Sequence, residues 1–118
     1  MTRQRLADWE EELAAACVFL SQRLPEAADA LDELGRQHLQ AAARLRTAPP
    51  PRWRLAIAQL RAAAWPTAAG LEWLRQAELE LARRYTSLHD LGAADAWQRY
   101  LRAEHLAALA EFGELSPA

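Results

Sequence analysis

The chemistry this sequence offers rests on a few ionisable residues that fall on apolar helix faces. Glu10 shares a face with Leu6, Leu13 and Cys17. His38 lies among Ala27, Leu31, Leu34, Ala41 and Leu45. Glu78 lies among Leu71, Leu74, Leu81, Tyr85 and Leu88, and His105 among Ala94, Leu101, Ala108 and Phe112. At ~100° per residue these spacings put one carboxylate or imidazole per helix on the buried side. Glu11, Glu72, Glu80 and Arg83 point the other way, as solvated charges. A carboxylate or imidazole alone in a core is costly, so the four imply either an ion pair or a metal site. Two Glu and two His form a ligand set that a single divalent ion (iron, manganese or zinc) accepts. Cys17, on the same apolar face, is expected to be inert packing, and His89 is expected to meet the dipole at a helix end. No Ser, His and Asp set supports nucleophilic hydrolysis, so an enzyme is not the expectation.

The elements that must position these residues are helices. The chain has 118 residues, 52% of them hydrophobic, which suits one domain with a core of its own. Alanine and leucine dominate, and no β-branched run reaches strand length, so the fold class is all-α. The periodicity predicts helices over 2–24, 25–46, 67–89 and 93–112. Pro25 suits a first helical position, and Gly92 marks a turn. The short turns at Leu24–Pro25 and Leu91–Gly92 predict two antiparallel hairpins, 2–46 and 67–112. Between them, 47–66 opens on Pro49, Pro50 and Pro51. It carries a short amphipathic piece on Trp53, Ile57, Leu60 and Ala64, long enough to be a crossover. The expected architecture is a four-helix bundle of one domain, 1–118.

Two numerical relations bear on the site. Glu10 and His38 are equally far from residue 24, and Glu78 and His105 are equally far from the Leu91–Gly92 turn. Equal distance means equal height in an antiparallel hairpin, so each Glu is expected to face its own His. A shift of 67 residues also pairs Leu24 with Leu91, Leu34 with Leu101, His38 with His105 and Leu39 with Leu106, an internal repeat of the two hairpins.

On these residues the chain resembles the ferritin-like superfamily in its short rubrerythrin-type form. Leu31 to Leu39 looks like that family's second-helix motif, Leu101 to Leu106 like its fourth, and Glu78 with Tyr85 like its third. The resemblance implies a four-helix bundle with a long crossover. It also implies a di-iron site built from a Glu on each of two helices and Glu-x-x-His on the other two. The chain departs from the pattern at both motif glutamates: Gly35 stands three before His38, and Arg102 three before His105. Half of the anionic ligands are therefore missing and a cation is added. The resemblance thus implies a degenerate site without oxidase chemistry, in which Arg102 stands in for the lost cation.

Leu31, Leu34, Gly35 and His38 are also similar to the first helix of a tetratricopeptide repeat, which would imply a peptide-binding adaptor. Pro49 to Pro51 fall where that repeat's second helix should follow, and two hairpins are fewer than such arrays need. The balance of 14 basic and 16 acidic residues gives a net charge of −2 and removes the electrostatic case for nucleic acid. No apolar run approaches the ~20 residues that span a bilayer, so no membrane partner is expected. One cysteine and no signal-peptide pattern predict a cytoplasmic protein. Five tryptophans are many for this length. Trp73, off its helix's stripe, is expected to face a partner, most simply a second copy in a homodimer.

Overall fold

A computed structural model of the chain describes residues 2–49, 51–64 and 66–115, with Ala64 by its backbone alone. Pro50 and Trp65 of the crossover lie outside the described residues. Five α-helices follow one another: α1 (Arg3–Arg23), α2 (Ala28–Leu45), α3 (Arg52–Ala64), α4 (Thr67–Ser87) and α5 (Ala93–Glu111), with a 3-10 turn over Pro25–Ala27 before α2. No strand occurs among the described residues.

Local sequence explains where these helices begin and end. The hydroxyl of Thr2 accepts a hydrogen bond from the Arg5 amide and caps α1. Pro25 supplies the fixed φ that turns the chain into α2. Helix α4 ends in a paired set of bonds, His89 N–H to Thr86 C=O and Asp90 N–H to Tyr85 C=O, with His89 left-handed at φ 52°. The same motif closes α5, where Gly113 takes the left-handed position at φ 74°. Asp90 then accepts from the Gly92 amide, which forms the tight turn into α5.

Helix α1 packs along α2, α4 packs along α5, and α1 also touches α3 and α4. The core is leucine and alanine: Leu6, Leu13, Leu20, Leu31, Leu34, Leu71, Leu74 and Leu81 are all essentially solvent-free. Burying one such leucine contributes roughly 1.5–3 kcal/mol. The radius of gyration, 13.6 Å, equals the ~13.5 Å of a compact chain of this length, so the two helix pairs lie against each other.

The stripes of α1, α2 and α4 bury as their periodicity predicts, apart from Ala41, which is half-buried while its neighbour Ala42 is buried, and Leu88, which is exposed beyond the end of α4. Helix α5 does not. Its buried residues are Ala96, Arg99, Ala103 and Leu106, whereas Ala94, Leu101, His105 and Phe112 face outward. The inward face of α5 is made of two alanines, one arginine and a single leucine, so the larger apolar side chains on the other face outweigh it by hydrophobicity. Every informative pair of the 67-residue repeat is split by this rotation. Leu24, Leu34 and His38 are buried while Leu91, Leu101 and His105 are exposed, and Leu39 is exposed while Leu106 is buried. Helix α3 is also turned from expectation. It presents Trp53, Ile57 and Leu60 to solvent and packs on α1 with its other side, where Ala62 is buried and Arg54 pairs with Asp8 and Glu12.

Candidate functional site

Four helices bring charged side chains to one buried cluster. Glu10 of α1, His38 of α2 and Glu78 of α4 are at most 1% exposed, and Arg99 of α5 is 5% exposed. His38 Nδ1 lies 2.8 Å from Glu10 Oε1. Arg99 Nη2 donates to both Glu10 oxygens at 3.1 and 2.9 Å, and the Tyr85 hydroxyl donates to Glu10 Oε2 at 3.0 Å. Glu10 thus accepts from three helices at once and has its lone pairs filled. Glu78 is less well served. Its Oε1 lies 2.8 Å from His38 Nε2, close enough for an ion pair but badly aligned for a hydrogen bond. Both Glu78 oxygens and Arg99 Nε are therefore buried without a hydrogen-bond partner, and Oε2 and Nε, which lack even an ion-pair contact, each cost roughly 1–3 kcal/mol.

The cluster sets its own protonation. Burial alone pushes the His38 imidazole toward the neutral form. The Glu78 charge, together with the bonds to Glu10 and the contact with Glu78, outweighs burial and raises its pKa from 6.5 to about 9. His38 is an imidazolium at neutral pH. It and Arg99 together balance the two carboxylates, as a buried charge set must to be tolerated. Burial, reinforced by the Glu10 charge, pushes the Tyr85 phenol well above its ordinary value, so Tyr85 remains a donor. Burial and the Glu78 charge likewise push the Cys17 thiol up, which removes thiolate chemistry near neutral pH.

Of the residues expected at the site, Glu10, His38, Glu78 and Tyr85 come together. His105 does not. It is exposed on α5, beside Ala30, Leu101 and Leu106. Arg102 is exposed too, and the arginine that enters the core is Arg99, one turn earlier. Glu78 accordingly faces His38 and not His105. Gly35 packs one turn before His38 against α1, where an added Cβ would meet Cys17 Cβ at 3.5 Å and the Ala14 carbonyl at 3.6 Å. Glu11, expected on the solvent side, is buried and paired with Arg46. Trp73, expected to face a partner, is half-buried against the core, and among the described residues the well-exposed tryptophan is Trp53.

Beside the cluster, a cleft of about 310 Å³ opens between α2 and α5. Its walls carry Gln37, Gln40 and Arg44 from α2 and Gln98, Arg99 and Arg102 from α5, and Tyr85 also lines it. Spacings of three and four residues along each helix keep these polar groups on the cleft face. Arg44 is held by Asp90 at 2.8 Å. Arg102 has no acidic partner among the described residues.

No protein-family model, curated protein or solved structure matches this chain.

The cluster does not fit a metal. The His38 ring stands between Glu10 and Glu78 and gives one nitrogen to each, so the three donors do not converge on a point. Among the described residues no three His, Cys, Asp or Glu side chains are placed to share an ion. Arg99 also fills the Glu10 lone pairs a cation would need. What the arrangement can do chemically is hold a proton on His38 between two carboxylates and fix four helices to one point.

Proposed function

We propose that this chain is a structural and interaction protein: two antiparallel hairpins joined by a crossover in a ferritin-like four-helix bundle, with an ion-pair network where a metal centre would lie. The observation that carries this function is the double contact of Arg99 Nη2 with Glu10. A guanidinium keeps its charge when buried, so it neutralises the carboxylate permanently and without metal. The neutral sum of the cluster supports a role in fixing helix register, a use to which buried polar sets are known to be put. Among the described residues no helix is long and apolar enough to cross a membrane.

Metal analysis after separate reconstitution with iron, manganese and zinc tests this function. Purified protein is expected to carry no stoichiometric metal. One ion per chain or more, lost in Glu10→Gln, would overturn the proposal and return the site to metal chemistry.

A further inference from the structure

We propose that the cleft between α2 and α5 binds a small molecule through an anionic group, a carboxylate or a phosphate, at its Arg99–Arg102 end. Three observations carry this beyond a scaffold role. The cleft, about 310 Å³, lies at the lower limit of small-ligand sites and reaches the buried cluster. Arg99 lines it, is 5% exposed, spends only Nη2 on Glu10 and leaves Nε buried with no acceptor. Arg102, one turn along the same face, is exposed and has no acidic partner among the described residues. Two guanidiniums with unused donors, three residues apart on one helix face, suit the oxygens of one anion.

The amides around them support the same chemistry. Gln40 and Gln98 line the cleft with no partner side chain among the described residues, and they can donate to or accept from the body of a ligand. Asp95, the carboxylate among the lining residues, stands seven residues before Arg102, about 10 Å along α5. With Arg44, Arg99 and Arg102 against this one carboxylate, the lining is positive on balance, which favours an anion. Tyr85 links its floor to Glu10, so an occupant would sit next to the cluster that ties the helices together.

The test is a titration of backbone amide NMR shifts with sodium succinate and, separately, inorganic phosphate, with sodium chloride at matched ionic strength as reference. The expected result is saturation with at least one of the two, with Kd of about 5 mM or tighter, and shifts confined to 37–44 and 95–102. Arg102→Gln, at an exposed position, should keep the fold and weaken binding about tenfold, as should the exposed Gln98→Leu to a smaller degree. Saturation by phosphate alone would assign a phosphate, and by succinate alone a carboxylate. Shifts that chloride reproduces, that fail to saturate, or that survive Arg102→Gln unchanged would overturn the proposal. Because metal content is read separately, loss of this site would leave the scaffold function standing.

Discussion

Arg99 meets Glu10 through a single nitrogen, Nη2, that reaches both carboxylate oxygens, while His38 and Tyr85 take the remaining directions around the same carboxylate. Glu10 is the hub of the cluster and Glu78 is a spoke. Removing one partner of a buried ion set leaves the others uncompensated, and the loss depends on how many depended on it. Glu10→Leu strands Arg99, leaves the Tyr85 hydroxyl without its acceptor and takes one of the two carboxylates from His38, and is expected to cost about 3–5 kcal/mol. Glu78→Leu removes the charge that does most to hold the proton on His38, but leaves Arg99 paired and leaves His38 bonded to Glu10 and able to become neutral, so it should cost less, about 1–3 kcal/mol. Urea denaturation of the two variants compares them directly. Equal losses would mean that Glu78 holds the helices as firmly as Glu10 does.

The proton on His38 makes stability depend on pH. Its pKa is 6.5 when the chain is unfolded and about 9 in the fold, so the fold binds the proton more tightly. A raised pKa gives stabilisation that is complete below 6.5 and is lost as pH climbs to about 9. The denaturation midpoint should fall across that window in the native protein and stay flat in His38→Gln. Cys17 and Tyr85, whose pKa values are also raised, work in the same direction only at higher pH, where their unfolded forms ionise. A midpoint that rises between pH 6.5 and 9 would exclude an imidazolium at this position.

The two helix ends offer a matched comparison. His89 and Gly113 hold the same left-handed place in the same bond pattern, but only glycine does so without a Cβ penalty. His89→Gly is expected to stabilise the protein by about 1 kcal/mol, because it removes that penalty at an exposed site. Gly113→Ala should destabilise the end of α5 by a similar amount, about 1 kcal/mol. Thermal denaturation of both checks the pair. A loss in His89→Gly would assign the imidazole a contact of its own.

Much of this is legible in the residues themselves. The helix limits follow from Pro25, Gly92, the Pro49–Pro51 break and the leucine spacing. The contact between Glu10 and His38 follows from their equal distance to Leu24. The last helix misleads because its buried face is written in two alanines, one arginine and only one leucine. Ala96, Arg99, Ala103 and Leu106 have helical spacing, yet Leu101, His105 and Phe112 outweigh them by hydrophobicity. Arg99 is inward only because Glu10 awaits it 89 positions away, and no single-helix pattern contains that fact. The repeat of 67 then lends false support, since it matches letters and not environments. Trp53, Ile57 and Leu60 mislead in the same way, for a helix of thirteen residues can settle on its alanines and salt bridges instead.

The separations within the cluster have a consequence for how the protein opens. Glu10 reaches His38 across 28 residues, inside one hairpin, but Tyr85 and Arg99 across 75 and 89, in the other. Each hairpin closes a short loop, so its entropic cost is small, whereas joining the two requires the whole chain to be arranged. The seam between them is unusual for a core because full charges sit in it among the leucines of both hairpins, and water rewards those charges when they are released. Parting along that seam rehydrates two carboxylates, a guanidinium, an imidazolium and a phenol, since His38 and Glu78 also meet across it, and this offsets some of the apolar surface exposed. The hairpins should therefore behave as two foldons, each holding its own amides against exchange while the boundary between them breathes.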